Sequence, residues 1–277
     1  MKKENQDISM KRSIFIGATA GVAEILINHP LWVMKTRRQC SYSFTLNPFI
    51  LYKGITYHAF SETLLAIFQI ATSIQLEQKL KNNQNFEPFF HQNTFNSGAL
   101  MGSLIGGGLS GFITGPTELI MTQQQKNAIT NKNMYTNDFS KIINLITKDY
   151  GYKRLFLGSP CTAIRESLYT CGFFTGTPIV ARKLDKHLNN KTLSSSISGA
   201  ITGILSAIVT HPFDTIKSIQ QDAAFKTVKL HAFEAAKAIY NKNGYKGFFS
   251  GIGERSLRVA SATAVIGTVI EKMKPSF

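Results

Sequence analysis

The sequence predicts an all-α membrane protein with six transmembrane helices, built as three tandem pseudo-threefold repeats around a central cavity. Three observations predict it. The first is a motif that recurs three times in 277 residues, around Pro30, Pro116 and Pro212. An acid follows the proline after two residues (Glu118, Asp214), a base after five (Lys35, Lys217) and a glutamine after nine (Gln39, Gln125, Gln221). Trp32 stands at the acidic position of the first copy, and Met121 at the basic position of the second. The second observation is register. Small residues lie 13 and 9 positions before each proline, at Gly17/Gly21, Ser103/Gly107 and Gly199/Gly203, and an aromatic-containing turn ends at Gly54, Gly158 and Gly251 after each. The third is six long spans at 11–38, 55–79, 96–124, 159–183, 194–220 and 252–273, each reaching the ~20 helical residues that cross a hydrocarbon core. Internal repetition at this period marks structural modules, bounded here as 1–85, 86–190 and 191–277.

In chain order, span 11–38 carries Pro30 deep in its interior, where a proline removes a backbone hydrogen bond and bends a helix. Small residues four apart, as in Gly17/Gly21, let a neighbouring helix approach closely in lipid. The turn to Gly54 comes early. The proline-to-glycine distance is 24 residues in the first module against 42 and 39 in the others, so a short amphipathic helix is missing there. Span 55–79 closes the module, and the polar stretch 81–94 links it to the next. Span 96–124 repeats the proline helix. Residues 138–148 then show apolar side chains at helical spacing, as a surface helix does. Spans 159–183 and 194–220 follow, then a second surface helix at 230–240 and the final span 252–273.

A mean hydropathy of -0.03 is polar for six membrane spans. The conflict disappears if one face of each helix lines a water-filled cavity and the other faces lipid, since only backbone-satisfied structures cross the bilayer. The net charge is +15, with the bases spread over loops and helix ends rather than on one stripe. Between residues 121 and 154 six of them (Lys126, Lys132, Lys141, Lys148, Lys153, Arg154) face two acids, Asp138 and Asp149. This fits membrane topology and anionic lipid, and it argues against nucleic acid. Cys40, Cys161 and Cys171 have neither metal spacing nor a disulfide framework. No nucleophile–base arrangement or phosphate-cradling loop is visible, and Gly106–Gly108 lies within a helix, so neither an enzyme nor a cofactor is expected. His29 and His211, each just before a motif proline, read as helix-packing residues.

The threefold motif, in register with its glycines, resembles the signature of the mitochondrial carrier family, and the resemblance spans nearly the whole chain. It implies a matrix-side gate in which the acid of each module pairs with the base of the next. Glu118 would pair with Lys217 and Asp214 with Lys35. Trp32 and Met121 would meet as an apolar contact where both charges of one pair are lost together. Gln39, Gln125 and Gln221 would brace the pairs. A cytoplasmic gate is implied 20 and 23 residues after the turn glycine, where Glu271 and Lys274 fit but Pro178/Ala181 and Ile74/Glu77 do not, so this gate is weak. The N-terminus has neither a secretory core nor a good transit peptide, and family members are usually targeted by internal signals.

The resemblance also places substrate contacts seven and eight residues after each turn glycine: Ser61 and Glu62, Arg165 and Glu166, Arg258 and Val259. Ionisable groups at membrane depth are functional by default, and two arginines can grip a carboxylate or phosphate bidentately. An Arg-Glu pair looks like that of amino-acid or S-adenosylmethionine carriers, and the arginine run of ADP/ATP carriers is missing, yet nucleotides stay open. The expectation is alternating-access transport of a small anionic or zwitterionic metabolite across the mitochondrial inner membrane, by exchange with some net uniport. The protein would act as a monomer among lipids such as cardiolipin. The competing expectation is a carrier fold that has become a membrane scaffold or insertase. Composition leaves open whether the mitochondria are the source's own or a host's.

Overall fold

The computed structural model describes residues 2–63, 97–130, 139–188, 190–226 and 230–273, and all of their regular structure is helical. The helices are α1 (Lys2–Gln39), α2 (Pro48–Leu51), α3 (described over 55–63), α4 (Ser97–Thr130), α5 (Phe139–Tyr150), α6 (Ser159–Asp185), α7 (Lys191–Asp222), α8 (Ala232–Asn243) and α9 (Ile252–Met273). Pro30, Pro116 and Pro212 lie inside α1, α4 and α7. The long helices adjoin in the order α4, α6, α7, α9, α1.

The packing is inside out for a water-soluble protein. Met101, Ile105, Leu109 and Phe112 form an exposed stripe along α4, and Leu193, Ile197, Ile201, Leu205 and Ile208 form one along α7. The buried faces hold Ser110, Thr114, Gln123, Ser198, Thr210 and Asp214. Exposed contiguous apolar faces over a polar interior call for a lipid surround. By length and composition, one helix among the described residues, Leu193–Phe225, is apolar enough to cross a membrane. The polar inward faces hold the hydropathy of the others down. Inside, hydroxyls bond back to their own helix, as Thr114 Oγ1 does to Ser110 O at 3.0 Å and Thr210 Oγ1 to Ser206 O at 2.8 Å. The interior stays free of unpaired hydroxyls at these positions.

The turn glycines precede α3, α6 and α9. Gly54, Gly158 and Gly251 have φ of 84°, 86° and 84°, the left-handed region that side chains resist. Each carbonyl takes the first helical N–H, from His58, Thr162 and Arg255 at 3.0, 3.0 and 3.1 Å. Two of them also press on a motif lysine. A Cβ at 158 would lie 3.2 Å from Lys217 Cγ, and one at 251 would lie 3.1 Å from Lys35 Cγ. The histidines before the prolines bind the carbonyl just ahead of the turn glycine, His211 Nε2 at 2.9 Å from Ser250 O and His29 Nε2 at 3.2 Å from Lys53 O. In the middle module this position is Gly115, and Ser159 fills the space, 2.0 Å from where a Cβ would stand.

The surface helices are α5 and α8, 12 residues each, beside a four-residue α2 in the first module. α5 is held by Ile142 and Ile146, buried against Leu119, Ile120, Leu157 and Ala224. In the first module the chain passes through irregular residues 42–47, tied down by Arg37, whose Nη2 donates to Ser43 O at 2.7 Å.

Candidate functional site

The inward faces of α1, α3, α4, α6 and α9 enclose a cavity of about 210 Å³. Ser61, Glu62, Arg165, Glu166, Arg258 and Val259 all line it, so the six residues at the seven- and eight-residue offsets come together. They converge because each follows a left-handed glycine at the same helical distance. α4 can approach α6 at this level because Gly107 has no side chain, and a Cβ there would lie 2.6 Å from Glu166 O.

Below the cavity lies a buried ionic network. Lys35 Nζ donates to Asp214 Oδ2 at 2.8 Å, and Lys217 Nζ to Glu118 Oε2 at 2.9 Å. Arg165 joins the two pairs. Its Nη2 lies 3.0 Å from Glu118 Oε1 and 2.6 Å from Glu166 Oε1, and its Nη1 lies 3.3 Å from Asp214 Oδ1. Arg255 Nη1 approaches Asp214 Oδ2 at 3.9 Å, while its Nη2 donates to Thr210 Oγ1 at 2.9 Å. Its guanidinium also lies over the Tyr169 ring, 5.9 Å from the centroid. Buried charges persist only with such partners, because removing one leaves the other desolvated and uncompensated. Arg165 therefore lines the cavity, as its sequence position suggests, with its guanidinium held by the network beneath.

The third corner is apolar. Trp32, Val33, Leu51 and Met121 are buried together, with Met34 and Tyr57 packed against them. Trp32 stacks on His29 at 5.8 Å between centroids and meets His58 at 5.4 Å. The glutamines depart from a uniform bracing role. Gln39 Nε2 donates to Asp214 Oδ2 at 2.8 Å and its Oε1 accepts from Ser218 Oγ at 2.7 Å. Gln125 Nε2 instead donates to Lys53 O at 2.9 Å, because its corner holds no ion pair. Gln221 Nε2 donates to Gly115 O at 3.2 Å. Glu118, already bonded by Lys217, Arg165 and Thr162 Oγ1 at 3.4 Å, does not need it. Lys274 lies outside the described residues, and with it the Glu271–Lys274 gate.

Sequence reasoning missed His58, Tyr169 and Arg255, all of which line the cavity. Arg255 stands one helical turn before Arg258, and His58 one turn before Glu62. That i, i+3/i+4 spacing was the available signal. With three arginines, three glutamates and one histidine on its wall, the cavity can hold a carboxylate and an ammonium group at once.

A family model described as "Mitochondrial carrier protein" matches residues 92–188 and 189–277. The chain is 24% identical to mitochondrial 2-oxodicarboxylate carrier 1 of Saccharomyces cerevisiae, over 99% of this chain and 96% of that one. It is 23% identical to a mitochondrial glycine transporter of the same yeast, over 97% of this chain and 92% of the relative. A mitochondrial arginine transporter of Arabidopsis thaliana is similar at 22% identity, over 90% and 89% of the two chains. The proline motifs, the glycine turns and the family match agree, and the chain belongs to the mitochondrial carrier family.

Proposed function

We propose that this protein is an alternating-access transporter of a small carboxylate-bearing metabolite across the mitochondrial inner membrane. The observation that carries the reading is the cavity of arginines and glutamates, closed beneath by Lys35–Asp214 and Lys217–Glu118 and surrounded by apolar outer faces. Such a site lies between repeats, and rearrangement of the ion pairs opens it to the other side. The three modules 1–85, 86–190 and 191–277 each supply one odd and one even span, six in all. Trp32 and Met121 form the apolar third of the matrix gate. The named relatives carry an oxodicarboxylate, glycine and arginine, all of which bear a carboxylate. The working unit is a monomer with lipid, cardiolipin included, on the matrix-side bases. Exchange with some net uniport fits a cytoplasmic-side gate whose charged pattern is kept by Glu271 and Lys274 but not at Pro178/Ala181 or Ile74/Glu77.

The test is the melting temperature of the purified protein in mild detergent against 2-oxodicarboxylates, amino acids, S-adenosylmethionine and nucleotides. A ligand at about 100 times its Kd stabilises by about 2.7 kcal/mol. One chemical class is expected to raise the melt, and Arg258→Ala to abolish the rise. A panel with no effect overturns the reading.

A further inference from the structure

The cavity wall at α3 holds a run of groups whose hydrogens can be placed by elimination. His29 Nε2 faces the Lys53 carbonyl at 3.2 Å. A carbonyl only accepts, so Nε2 carries the hydrogen and Nδ1 of the neutral ring is bare. That bare nitrogen lies 2.8 Å from His58 Nδ1, which must donate to it. His58 therefore turns Nε2 to the cavity, 3.3 Å from Glu62 Oε1 and 3.5 Å from Arg258 Nη1. Two arrangements satisfy these atoms. Without a proton on Nε2, the nitrogen and the carboxylate face each other lone pair to lone pair. Arg258, which is also 3.6 Å from Glu62 Oε1, then has to donate to both. With a proton, Nε2–H donates to Glu62 directly and Arg258 is released.

We propose that His58 and Glu62 form a proton site on the cavity wall for which Arg258 is the competitor, so that a proton and a carboxylate bind the cavity together. The proton adds to the Nε2 lone pair and no other bond changes. A carboxylate drawn to Arg258 takes the alternative donor away from His58 and Glu62, which raises their affinity for the proton. Linkage makes the effect reciprocal. The loaded cavity carries anion and proton together, which spares the closed state an extra charge.

The surrounding groups leave Arg258 as the controlling one. α6 presents Arg165, Glu166 and Tyr169 to the cavity, but Arg165 is occupied by Glu118, Glu166 and Asp214. α1 contributes His29, which meets His58, and Glu24, which accepts from Asn28 Nδ2 at 3.1 Å. α4 contributes Glu118, held by Lys217. The coupling rests on the cavity being the transport site proposed above, whereas the proton site itself does not.

Trp32 is the single tryptophan of the chain and meets His58 at 5.4 Å, and a protonated imidazole at that distance quenches indole emission. The experiment is a pH titration of tryptophan fluorescence of the full chain in detergent, with no substrate. One quenching step is expected as the pH is lowered. His58→Gln should remove it and His29→Gln retain it. Arg258→Gln should move the midpoint up by about one pH unit and Glu62→Gln move it down by as much. A wild type without a step, a step that survives His58→Gln, or a midpoint indifferent to Arg258→Gln overturns the proton site. Proteoliposome uptake of labelled 2-oxoglutarate, glycine and L-arginine then reads the coupling. An inward acid gradient should speed uptake of a transported probe several-fold in the wild type and not in His58→Gln. Uptake indifferent to the gradient overturns the coupling. If no probe is taken up, the transport reading fails, and the titration still decides the proton site.

Discussion

At the scale of single residues, the network below the cavity is built so that no charge lacks a counter-charge. Asp214 receives Lys35 and Gln39 on one oxygen and faces Arg165 and Lys217 on the other. The corner of Trp32 and Met121 solves the same problem by having no charge at all. A lone charge placed there has no partner. Met121→Lys is expected to lower stability by about 3–5 kcal/mol, since it leaves a buried ammonium against Trp32. Adding Trp32→Asp should recover part of that loss, with a coupling of about 0.5–3 kcal/mol in the double-mutant cycle. Melting curves of wild type, both singles and the double in one detergent measure it. A double mutant less stable than Met121→Lys would show that the corner cannot take an ion pair. The partners of Lys35 and Lys217 were legible in the sequence because motif register relates residues 179 and 99 positions apart. Arg255 and His58 were not, because the offset they share, four residues after Gly251 and Gly54, places Thr162 in the second copy and so carries no recurring charge. The i, i+3/i+4 spacing to Arg258 and Glu62 was the remaining signal.

At the scale of elements, the turn glycines couple backbone shape to the network. Gly158 is left-handed, with φ 86° and ψ -13°, and an alanine in that region costs about 1–2 kcal/mol. Gly158→Ala must in addition push the Lys217 stem from 3.2 Å and disturb its bond to Glu118. Gly158→Ala should therefore cost more stability than the left-handed strain alone, and a loss of only about 1–2 kcal/mol in melting curves would mean that the lysine stem yields freely. The helices themselves could be read from sequence to within a few residues at most ends. α5, expected over 138–148, spans Phe139–Tyr150, and α8, expected over 230–240, spans Ala232–Asn243. The first module's shortened segment was visible as a missing length. That it still forms a turn at Pro48–Leu51 follows from Asn47, whose Oδ1 accepts from Phe49 N at 3.0 Å and starts the helix.

At the scale of the whole molecule, the end beneath the cavity is drawn together by bonds that cross between modules. Asp222 at the end of α7 accepts from the Tyr42 hydroxyl of the first module and pairs with Lys126 of the second at 3.1 Å. Arg154 donates through Nε to Ala224 O at 2.9 Å, and its Nη2 reaches Lys226 O. Arg38 pairs with Glu254 at 2.5 Å. If alternating access opens this end, these bonds must part, and a covalent link across them must stop transport. Cys40 provides one half of such a link, since its Sγ lies 3.7 Å from Ser218 O, between α1 and α7. Ser218→Cys sets a second thiol beside it. Burial, followed by the Asp222 charge, raises the Cys40 thiol well above the usual range. It stays protonated at neutral pH and reacts slowly, and its reactivity grows only as pH rises toward the shifted value. Spontaneous oxidation of Ser218→Cys should therefore be slow near pH 7, and copper-phenanthroline should close the bridge. The oxidised variant is expected to keep its fold and lose uptake in proteoliposomes, with recovery on reduction. Oxidation of the wild type should leave uptake unchanged. Full transport through the bridged variant would show that α1 and α7 stay together at this end throughout the cycle, and the opening would then have to occur at the apolar corner of Trp32 and Met121.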